Sequence, residues 1–482
     1  MTNRYRLAAF GYQLLLVGAV AGTLNRPLPA QVTTPPTLAP PPGLKLPAVH
    51  EARLANGMRL VVVPMHEVPL VHLSLALAGG GRADGPLPGL ATFTANMLDE
   101  GAGARDANGI AAEAAYLGAT LNTGADWNAI TLTLRVPKRT LAPALDLLAD
   151  VTLRPTFQAA EIKRQRDLRL ANLVQQKDLP GVVASLAYSA IVFPEGHPYH
   201  RPIGGDSAAT ARLDSAVVRG FYRNVARPER ATVIVAGDVT LAEIRGELER
   251  RFGSWRSDGP AVAQSGETAA PPPPPMRPTA VHLIDKPGAA QSVIRIGHPG
   301  VERTNPDFYA IQVMNTLLGG SFSSRLNTNL RETKGYTYGA RSGFDFQPLP
   351  GAFTASADVR TDVTDSSLVE FYRELRRIRD TLVDPVELER TKQYLALRIP
   401  GTFERTSQMA GNLATLLTFG LPFSWFDDYV RRIMAVTAED VQRVARRYVH
   451  PDSATIVIVG DVAKIKAGVE RLQLGSLTMR KP

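Results

Sequence analysis

The chain of 482 residues is too long for one small domain, and its 44% of hydrophobic residues, with 16 Phe and 13 Tyr, is typical of a globular protein rather than a disordered one. It has no cysteine, which excludes disulfides, thiolate metal ligands and a cysteine nucleophile. The formal net charge is +9, but no basic run interleaved with aromatic residues is present, so we expect no nucleic-acid partner.

The N-terminal segment has the features of a secretory signal. Two arginines, Arg4 and Arg6, precede an apolar run from Leu7 to Leu24, and a small residue, Ala30, stands before a polar one. This order predicts a signal peptide over residues 1–30, and therefore a periplasmic or secreted protein. The apolar run is also long enough for an uncleaved inner-membrane anchor, which stays as the alternative.

Two proline-rich stretches divide the rest of the chain. Residues 31–47 predict an extended spacer, and residues 257–280, with an unbroken run of prolines from Pro271 to Pro275, predict an interdomain linker. Between and after them lie two segments of similar size, 48–256 and 281–482. We expect each of these segments to be a domain.

The two segments repeat one another near their ends. Residues 232–239 read Thr-Val-Ile-Val-Ala-Gly-Asp-Val, and residues 455–462 read Thr-Ile-Val-Ile-Val-Gly-Asp-Val. A helical pattern with a tyrosine, Tyr222 or Tyr448, precedes each copy. An internal duplication is the economical explanation.

Each half also shows the same order of predicted elements. Strands are predicted at 57–64, 71–77 and 129–136 in the first half and at 281–284, 292–296 and 351–359 in the second, with long helices near 159–176 and 365–380. The strands follow one another without regular crossover helices. The predicted fold class is therefore α+β, with two homologous mixed α/β layered domains.

The stretch from Gly89 to Gly101 predicts a short helix. Its apolar residues have the spacing of a buried face: Leu90, Phe93, Met97 and Leu98. Positions 92, 95 and 96 then lie on a neighbouring face, three and four residues apart, which is the spacing of a metal-binding helix. The side chains at these three positions decide whether the helix holds a metal.

Here the chain resembles the pitrilysin, insulysin and mitochondrial-processing-peptidase family, whose zinc helix reads G-[LI]-A-H-x-x-E-H-M. The resemblance extends over nearly all of residues 48–465. It implies the duplicated fold of that family, in which two domains form a clam-like half-chamber around an extended peptide. The matching residues include Leu54, Asn56, Gly57, Arg59, Gly79–Gly81, Gly89–Ala91, Met97 and His197–Tyr199.

The resemblance fails where the family holds its metal. The two histidine positions fall on Thr92 and Asn96, the general-base glutamate falls on Ala95, and the remaining glutamate ligand falls on Asn172. Zinc takes imidazole, thiolate or carboxylate ligands, so a hydroxyl, a methyl group and two amides do not replace them. We therefore expect a degenerate zinc site, without metal or other cofactor on this chain.

The second half contains residues that resemble functional elements of the family. A loop with the sequence Gly319-Gly320-Ser321-Phe322 precedes the pattern L-R-x-x-x-G-x-x-Y, which contains Arg331 and Tyr338. Both resemble elements of the family's non-zinc domain. The resemblance implies substrate binding by the loop and catalytic roles for Arg331 and Tyr338. The residues alone also allow a surface arginine and a core tyrosine.

Residues 117–123 resemble the strand on which active members of the family bind substrate as an added strand. Because the neighbouring helix has lost its ligands, three roles stay open for this strand. It binds a peptide, contacts a partner, or only completes the sheet.

Taken together, these features imply a zinc-less subunit of an exported, pitrilysin-like metallopeptidase. Its partner would be a homologous subunit with H-x-x-E-H and zinc, and its substrates would be extended peptides. One alternative is a non-catalytic peptide-binding or scaffold protein on the same fold, and another is a self-sufficient enzyme with an unorthodox site. Peptide cleavage with the partner tests the first alternative, and metal analysis tests the second.

Overall fold

The computed structural model describes residues 41, 43–259 and 271–481, and the described residues from 43 onward form one compact unit. The predicted signal peptide, residues 1–30, lies outside the described residues, as do parts of the predicted spacer and linker. Within the described ranges, no helix combines the length and the apolar character needed to cross a lipid bilayer.

The first half is built on a mixed sheet of six strands. Its neighbours run in the order β1-β2-β8-β3-β7-β6, and only the β2–β8 pair is parallel. A two-stranded hairpin, β4–β5, forms a separate small sheet. The strands of this half are β1 (His50–Arg53), β2 (Arg59–Pro64), β3 (Leu70–Ala78), β4 (Gly101–Ala102), β5 (Arg105–Asp106), β6 (Thr120–Ala125), β7 (Ala129–Pro137) and β8 (Ala231–Gly237).

Eight helices belong to the described part of the first half. They are α1 (Leu90–Asn96), α2 (Ala107–Tyr116), α3 (Leu141–Leu153), α4 (Ala159–Gln176), α5 (Pro180–Val192), α6 (Ser207–Ala211), α7 (Ser215–Val225) and α8 (Leu241–Phe252). Side-chain caps start several of them. Asp214 caps α7, and Thr240 and Glu243 form a reciprocal capping box at α8.

The second half repeats this plan. Its sheet runs in the order β11-β12-β10-β13-β9-β14. The strands are β9 (Ala280–Asp285), β10 (Gln291–Pro299), β11 (Thr337–Phe346), β12 (Pro350–Arg360), β13 (Thr455–Gly460) and β14 (Ser476–Arg480). The helices are α9 (Phe308–Asn315), α10 (Arg325–Asn327), α11 (Thr364–Asp380), α12 (Pro385–Arg398), α13 (Thr406–Thr418), α14 (Tyr429–Met434), α15 (Ala438–Tyr448) and α16 (Val462–Arg471).

The two sheets have the same topology over five of their six strands. Counted from one edge, β6-β7-β3-β8-β2 corresponds to β11-β12-β10-β13-β9, and β2–β8 and β9–β13 are both parallel. The sixth strands differ: β1 is antiparallel to β2, whereas β14 is parallel to β9. The predicted α+β fold with two homologous halves is confirmed.

Strand β7 shows how the sequence sets the faces of the sheet. Its apolar residues alternate with polar ones, and Ile130, Leu132, Leu134 and Val136 are all fully buried in the first core. The intervening residues are more exposed. A period of two thus places one face of the strand against the helices of its own half.

Each half covers the second face of the other half's sheet with one helix. Helix α5 of the first half packs on β10 and β13, and its Tyr188 donates a hydrogen bond to the carbonyl of Phe353 at 2.6 Å. Helix α13 of the second half packs on β3 and β8, where Leu413 and Leu416 join the same core as Val61 and Val63 of the first sheet. Each buried aliphatic side chain contributes about 1.5–3 kcal/mol, so the two exchanged helices stabilise the packing of the halves against each other.

Candidate functional site

Gly89 turns the chain into helix α1. Its φ is +87°, and a Cβ there would lie 2.6 Å from the Cα of Gly205, so only glycine fits. The buried carboxyl group of Asp84 accepts the N–H groups of Gly89 and Ala91, both at 2.7 Å. Burial raises the pKa of Asp84 to about 7, although the two backbone hydrogen bonds oppose the rise. The first turn of α1 is therefore fixed by local contacts.

The three candidate zinc-site positions on α1 differ in exposure. The half-buried Thr92 donates its hydroxyl hydrogen to the carbonyl oxygen of Ile203, 2.8 Å away. Ala95 is fully buried within the first core, and Asn96, the last residue of α1, is exposed. The face that these positions share is therefore only partly open to solvent.

The fourth candidate position, Asn172, is exposed on α4. Three residues earlier on the same helix, Arg169 donates a hydrogen bond to the carbonyl of Gly204. The preceding carbonyl, that of Ile203, accepts from Thr92. Two successive carbonyls of one loop thus connect α1 with α4, the two helices on which the family's zinc ligands would lie.

The donor set at these positions does not fit zinc. It consists of one hydroxyl group, which is already bonded to a carbonyl, one methyl group and two amides. Over residues 43–259 and 271–481, no cluster of three or more His, Asp and Glu side chains could hold a metal ion. Zinc sites need ligands of those types, so the residues of α1 and α4 do not form one.

The segment that carries the second candidate site contains two π-helical stretches, Thr316–Gly320 and Thr328–Thr333. Such turns are rare and occur frequently at functional sites. The first holds part of the glycine-rich loop and the second holds Arg331. A Cβ on Gly319 would lie 2.2 Å from the backbone nitrogen of Ser342 on β11, so this close approach requires glycine.

Two asparagine side chains fix the same segment to strand β11, at the edge of the second sheet. The side-chain amide of Asn315 donates to the carbonyl of Ser342 at 3.2 Å, and the amide oxygen of Asn327 accepts the N–H of Ala340 at 3.2 Å. Backbone groups of this edge strand are therefore bonded within the chain. The loop and the strand form one continuous surface.

The structure brings Arg331, Tyr338 and the glycine-rich loop, residues 319–322, together around one cavity of about 590 Å³. The guanidinium carbon of Arg331 lies 4.5 Å from the ring centre of Phe322, and its Nε lies 3.3 Å from a carboxylate oxygen of Glu332. Tyr338 is 90% exposed. The alternative of a core tyrosine is excluded by this exposure.

This arrangement has clear chemical uses. A guanidinium offers several fixed N–H donors, which suits it to binding the carbonyl oxygens of a peptide. A phenol can donate a hydrogen bond to an oxygen that gains negative charge during acyl transfer. Because Arg331 and Tyr338 face one cavity, a single bound peptide can contact both.

A buried polar network supports the segment that carries Arg331. The amide nitrogen of Asn329 donates to a carboxylate oxygen of Glu370 and to one of Glu374, both at 2.9 Å, and Lys334 lies 3.3 Å from the other oxygen of Glu370. Both glutamates lie on α11 and are less than a tenth exposed. Asn329 and Lys334, on either side of Arg331, thus attach the second π-helical stretch to α11.

Several further residues of the cavity were not predicted from the sequence, and three of them contribute charge or aromatic surface. Tyr394 of α12 is 43% exposed, and Arg341 of β11 and Asp358 of β12 lie on neighbouring strands. The family pattern includes none of them. Tyr394 comes from a helix far along the chain, and no sequence signal points to its place in the cavity.

The strand predicted as a peptide-binding edge, residues 117–123, contributes most of β6. This strand lies at the edge of the first sheet and packs beside α1. The cavity of the second half lies beside β11, which has the corresponding place in the second sheet. The two candidate regions are therefore equivalent places in the duplicated fold.

The chain thus combines a duplicated α+β fold, a helix α1 without side chains suited to zinc, and a cavity lined by Arg331 and Tyr338, and the family comparisons place this combination among metallopeptidase-like proteins. Residues 60–195 match the family profile described as Insulinase (Peptidase family M16), and residues 212–395 match the Peptidase M16 inactive domain. The chain belongs to the insulinase family, peptidase family M16.

Individual relatives agree with this assignment. The uncharacterized zinc protease YmxG of Bacillus subtilis is 24% identical over 84% of this chain and 96% of its own length. A probable mitochondrial-processing peptidase subunit beta of Arabidopsis thaliana is 23% identical over 87% of this chain and 80% of its own length. The crystal structure of a peptidase M16 inactive domain from Pseudomonas fluorescens has a TM-score of 0.78 and 27% identity, covering 86% of this chain and 98% of that one.

Proposed function

We propose that this chain is the zinc-less subunit of an exported, pitrilysin-like metallopeptidase. The proposal depends on one observation: Arg331 and Tyr338 line the same cavity, together with the glycine-rich loop of residues 319–322. In the same chain, the positions that would hold zinc have no side chain suited to that metal. The chain therefore has groups that bind substrate and lacks the group that activates water.

In this function the second half binds an extended peptide. Arg331 donates to peptide carbonyls, the loop of residues 319–322 lines the path of the backbone, and Tyr338 donates to the oxygen that becomes negatively charged. Hydrolysis requires zinc on a separate homologous chain that carries H-x-x-E-H. We expect neither zinc nor another cofactor on the chain described here.

The comparisons support a peptidase-like role. Relatives over most of the chain are named zinc proteases, and one of the similar proteins is named as a subunit of a processing peptidase. Export to the periplasm, or secretion, is proposed from the sequence of residues 1–30. The domain limits 48–256 and 281–482 are proposed on the positions of the two sheets. Helices α5 and α13 each pack on the sheet of the opposite domain.

The test is peptide cleavage by a reconstituted pair. The full chain is mixed with a homologous chain that carries H-x-x-E-H, and the turnover of a quenched fluorescent peptide is followed. We expect cleavage by the mixture and none by this chain alone. Arg331→Ala and Tyr338→Phe should lower turnover by the mixture strongly.

Two results would contradict the proposal. Unchanged turnover in both variants would favour the scaffold function, in which the peptidase fold serves only as an interaction surface. Cleavage by this chain without a partner, abolished by a chelator, would show a self-sufficient enzyme. Thermal unfolding of each variant is the control, because an exposed side chain such as Tyr338 should be replaceable without loss of fold.

A further inference from the structure

The cavity of the second half has an excess of positive charge. Among its described lining residues, Arg331 and Arg341 are cationic, and Asp358 is the acidic residue. Arg331 already packs against the ring of Phe322 and lies near Glu332. The charge of Arg341 has no such neighbour, because in the described part of the chain no carboxylate lies within ion-pair distance of it.

A second arginine lies behind Arg341. In the sheet, Arg341 of β11 lies opposite Ser356 of β12, and Ser356 lies opposite Arg295 of β10, so all three side chains share one face. Arg295 is largely buried and lies 3.6 Å from a carboxylate oxygen of Asp358. Burial lowers the pKa of Arg295, Asp358 opposes this change, and the positive charge of Arg341 adds to it. Asp358 thus pairs with the buried Arg295, and in the described part of the chain it lies beyond ion-pair distance of Arg341.

Three aromatic side chains line the same cavity. Tyr338 is 90%, Phe322 67% and Tyr394 43% exposed. Large aromatic surfaces left in solvent beside an uncompensated cation are suited to a ligand that carries both an apolar group and a negative charge. A peptide with an acidic side chain next to an apolar one has this composition.

We propose that Arg341 is a specificity-determining residue, which selects peptides with an acidic side chain by binding its carboxylate. The aromatic side chains of Phe322 and Tyr394 then contact an apolar residue near that carboxylate. This inference rests on the proposed function, since it assumes that the cavity binds peptides. It adds the class of substrate: extended peptides that combine an aspartate or glutamate with a large apolar residue.

The size of the effect follows from the exposure of Arg341. A charge-assisted hydrogen bond between a guanidinium and a carboxylate is stronger than a neutral one, but solvent screens it at an exposed site. We therefore expect an affinity difference of about tenfold between an acidic peptide and its amide counterpart. The difference should shrink as the salt concentration rises.

The experiment measures peptide binding to the full chain by fluorescence anisotropy, without a partner. The probes are short unstructured peptides with one phenylalanine and a single aspartate, whose position is varied. Each has matched peptides with asparagine or lysine in place of the aspartate. We expect the aspartate peptide to bind most tightly at one spacing from the phenylalanine. Arg341→Glu should reverse the order, so that the lysine peptide binds best.

A matched charge change serves as the control. Arg390 is an exposed arginine on α12 that does not line the cavity. Arg390→Glu alters the net charge of the chain as Arg341→Glu does, and it should leave the preference for aspartate in place. Equal loss of the preference in both variants would show that the overall charge of the protein causes it. That result would overturn the role of Arg341.

Two further outcomes would overturn the inference: equal affinity for the aspartate and asparagine peptides, or a preference that Arg341→Glu leaves unchanged. Absence of binding by every peptide would do the same. The proposed function fails by a different result, namely turnover by the reconstituted pair that is indifferent to Arg331→Ala. A preference for acidic peptides in the binding assay would survive that result, so the two failures are distinguishable.

Discussion

The two halves of this chain have one fold and different local chemistry. In the first half, the helix α1 and its neighbour α4 carry Thr92 and Asn172 where the family holds zinc, and α1 is bonded to the carbonyl of Ile203. In the second half, Arg331 and Tyr338 face an open cavity. The comparison teaches that two halves with one fold can carry different side chains at their equivalent places, and that the fold alone does not tell what each half does.

Exposure alone does not distinguish the two halves. Tyr116 on α2 of the first half is 90% exposed, as is Tyr338 of the second. The difference lies in the surroundings, because Tyr338 lines a cavity with Arg331 and the glycine-rich loop. Matched changes in the two halves therefore test which region acts on substrate.

The largest expected effect is that of Tyr338→Phe on turnover by the reconstituted pair. Loss of one hydrogen-bond donor to a developing oxyanion typically lowers kcat by about 100-fold to 1,000-fold. We expect a fall in kcat near the lower value with little change in KM, because the phenyl ring still contacts the peptide. Tyr116→Phe is the matched control and should leave both constants unchanged. Similar effects of the two variants would remove the functional distinction between the halves.

The next effect concerns stability. Asn329→Ala removes the amide that donates to both Glu370 and Glu374, whose charges keep their cationic partners, and should lower the free energy of unfolding by about 1.5–3 kcal/mol. Asn96→Ala, at the exposed end of α1, should change it by less than about 0.5 kcal/mol. Urea denaturation of both variants measures the difference. Equal stabilities would show that the buried network does not hold the segment of Arg331.

Stability should also depend on pH. His298 is buried, its Nδ1–H donates to the carbonyl of Pro299, and its Nε2 accepts the N–H of His450, an arrangement that requires a neutral ring. Burial lowers the pKa of His298 from 6.5 to about 4. Between these values the unfolded chain binds a proton and the folded chain does not, so stability falls as the pH falls from 6.5 towards 4.

The expected slope is at most about 1.4 kcal/mol per pH unit for this one group. Thermal unfolding at a series of pH values measures it. His298→Gln, which keeps a hydrogen-bond acceptor but does not titrate in this range, should flatten the profile. An unchanged profile in the variant would contradict the assignment of the slope to His298.

The smallest effect is expected at the degenerate zinc site. Thr92→Val removes one hydrogen bond, to the carbonyl of Ile203, and should lower the free energy of unfolding by about 1 kcal/mol. Asn172→Ala changes an exposed side chain and should have less effect on stability. Neither variant should alter turnover by the pair. A large loss of turnover in either would give the first half a role in catalysis.

Much of the fold follows from periodicity and turn signals. The helix predicted at 159–176 has those bounds in the structure, and the strand predicted at 71–77 extends from Leu70 to Ala78. The strand predicted at 129–136 extends from Ala129 to Pro137. These elements are regular, and each buries a face whose period is visible in the sequence.

Other features depend on contacts that the sequence does not reveal. Helix α5 has an apolar sequence, but that pattern does not tell which sheet it covers, and it packs on the sheet of the opposite half. No residue pattern in the sequence predicts the two π-helical stretches, one of which contains Arg331. Arg341 and Tyr394 join the cavity through the sheet and through α12, so their place in the site needed the tertiary structure.

The most direct test of the central claim is the zinc content of the separated chains and of the reconstituted pair, measured with turnover on the same samples. The account predicts zinc in the partner, no stoichiometric zinc in this chain, and cleavage only when the two are combined. Stoichiometric zinc in this chain alone, with chelator-sensitive cleavage by it, would contradict the account.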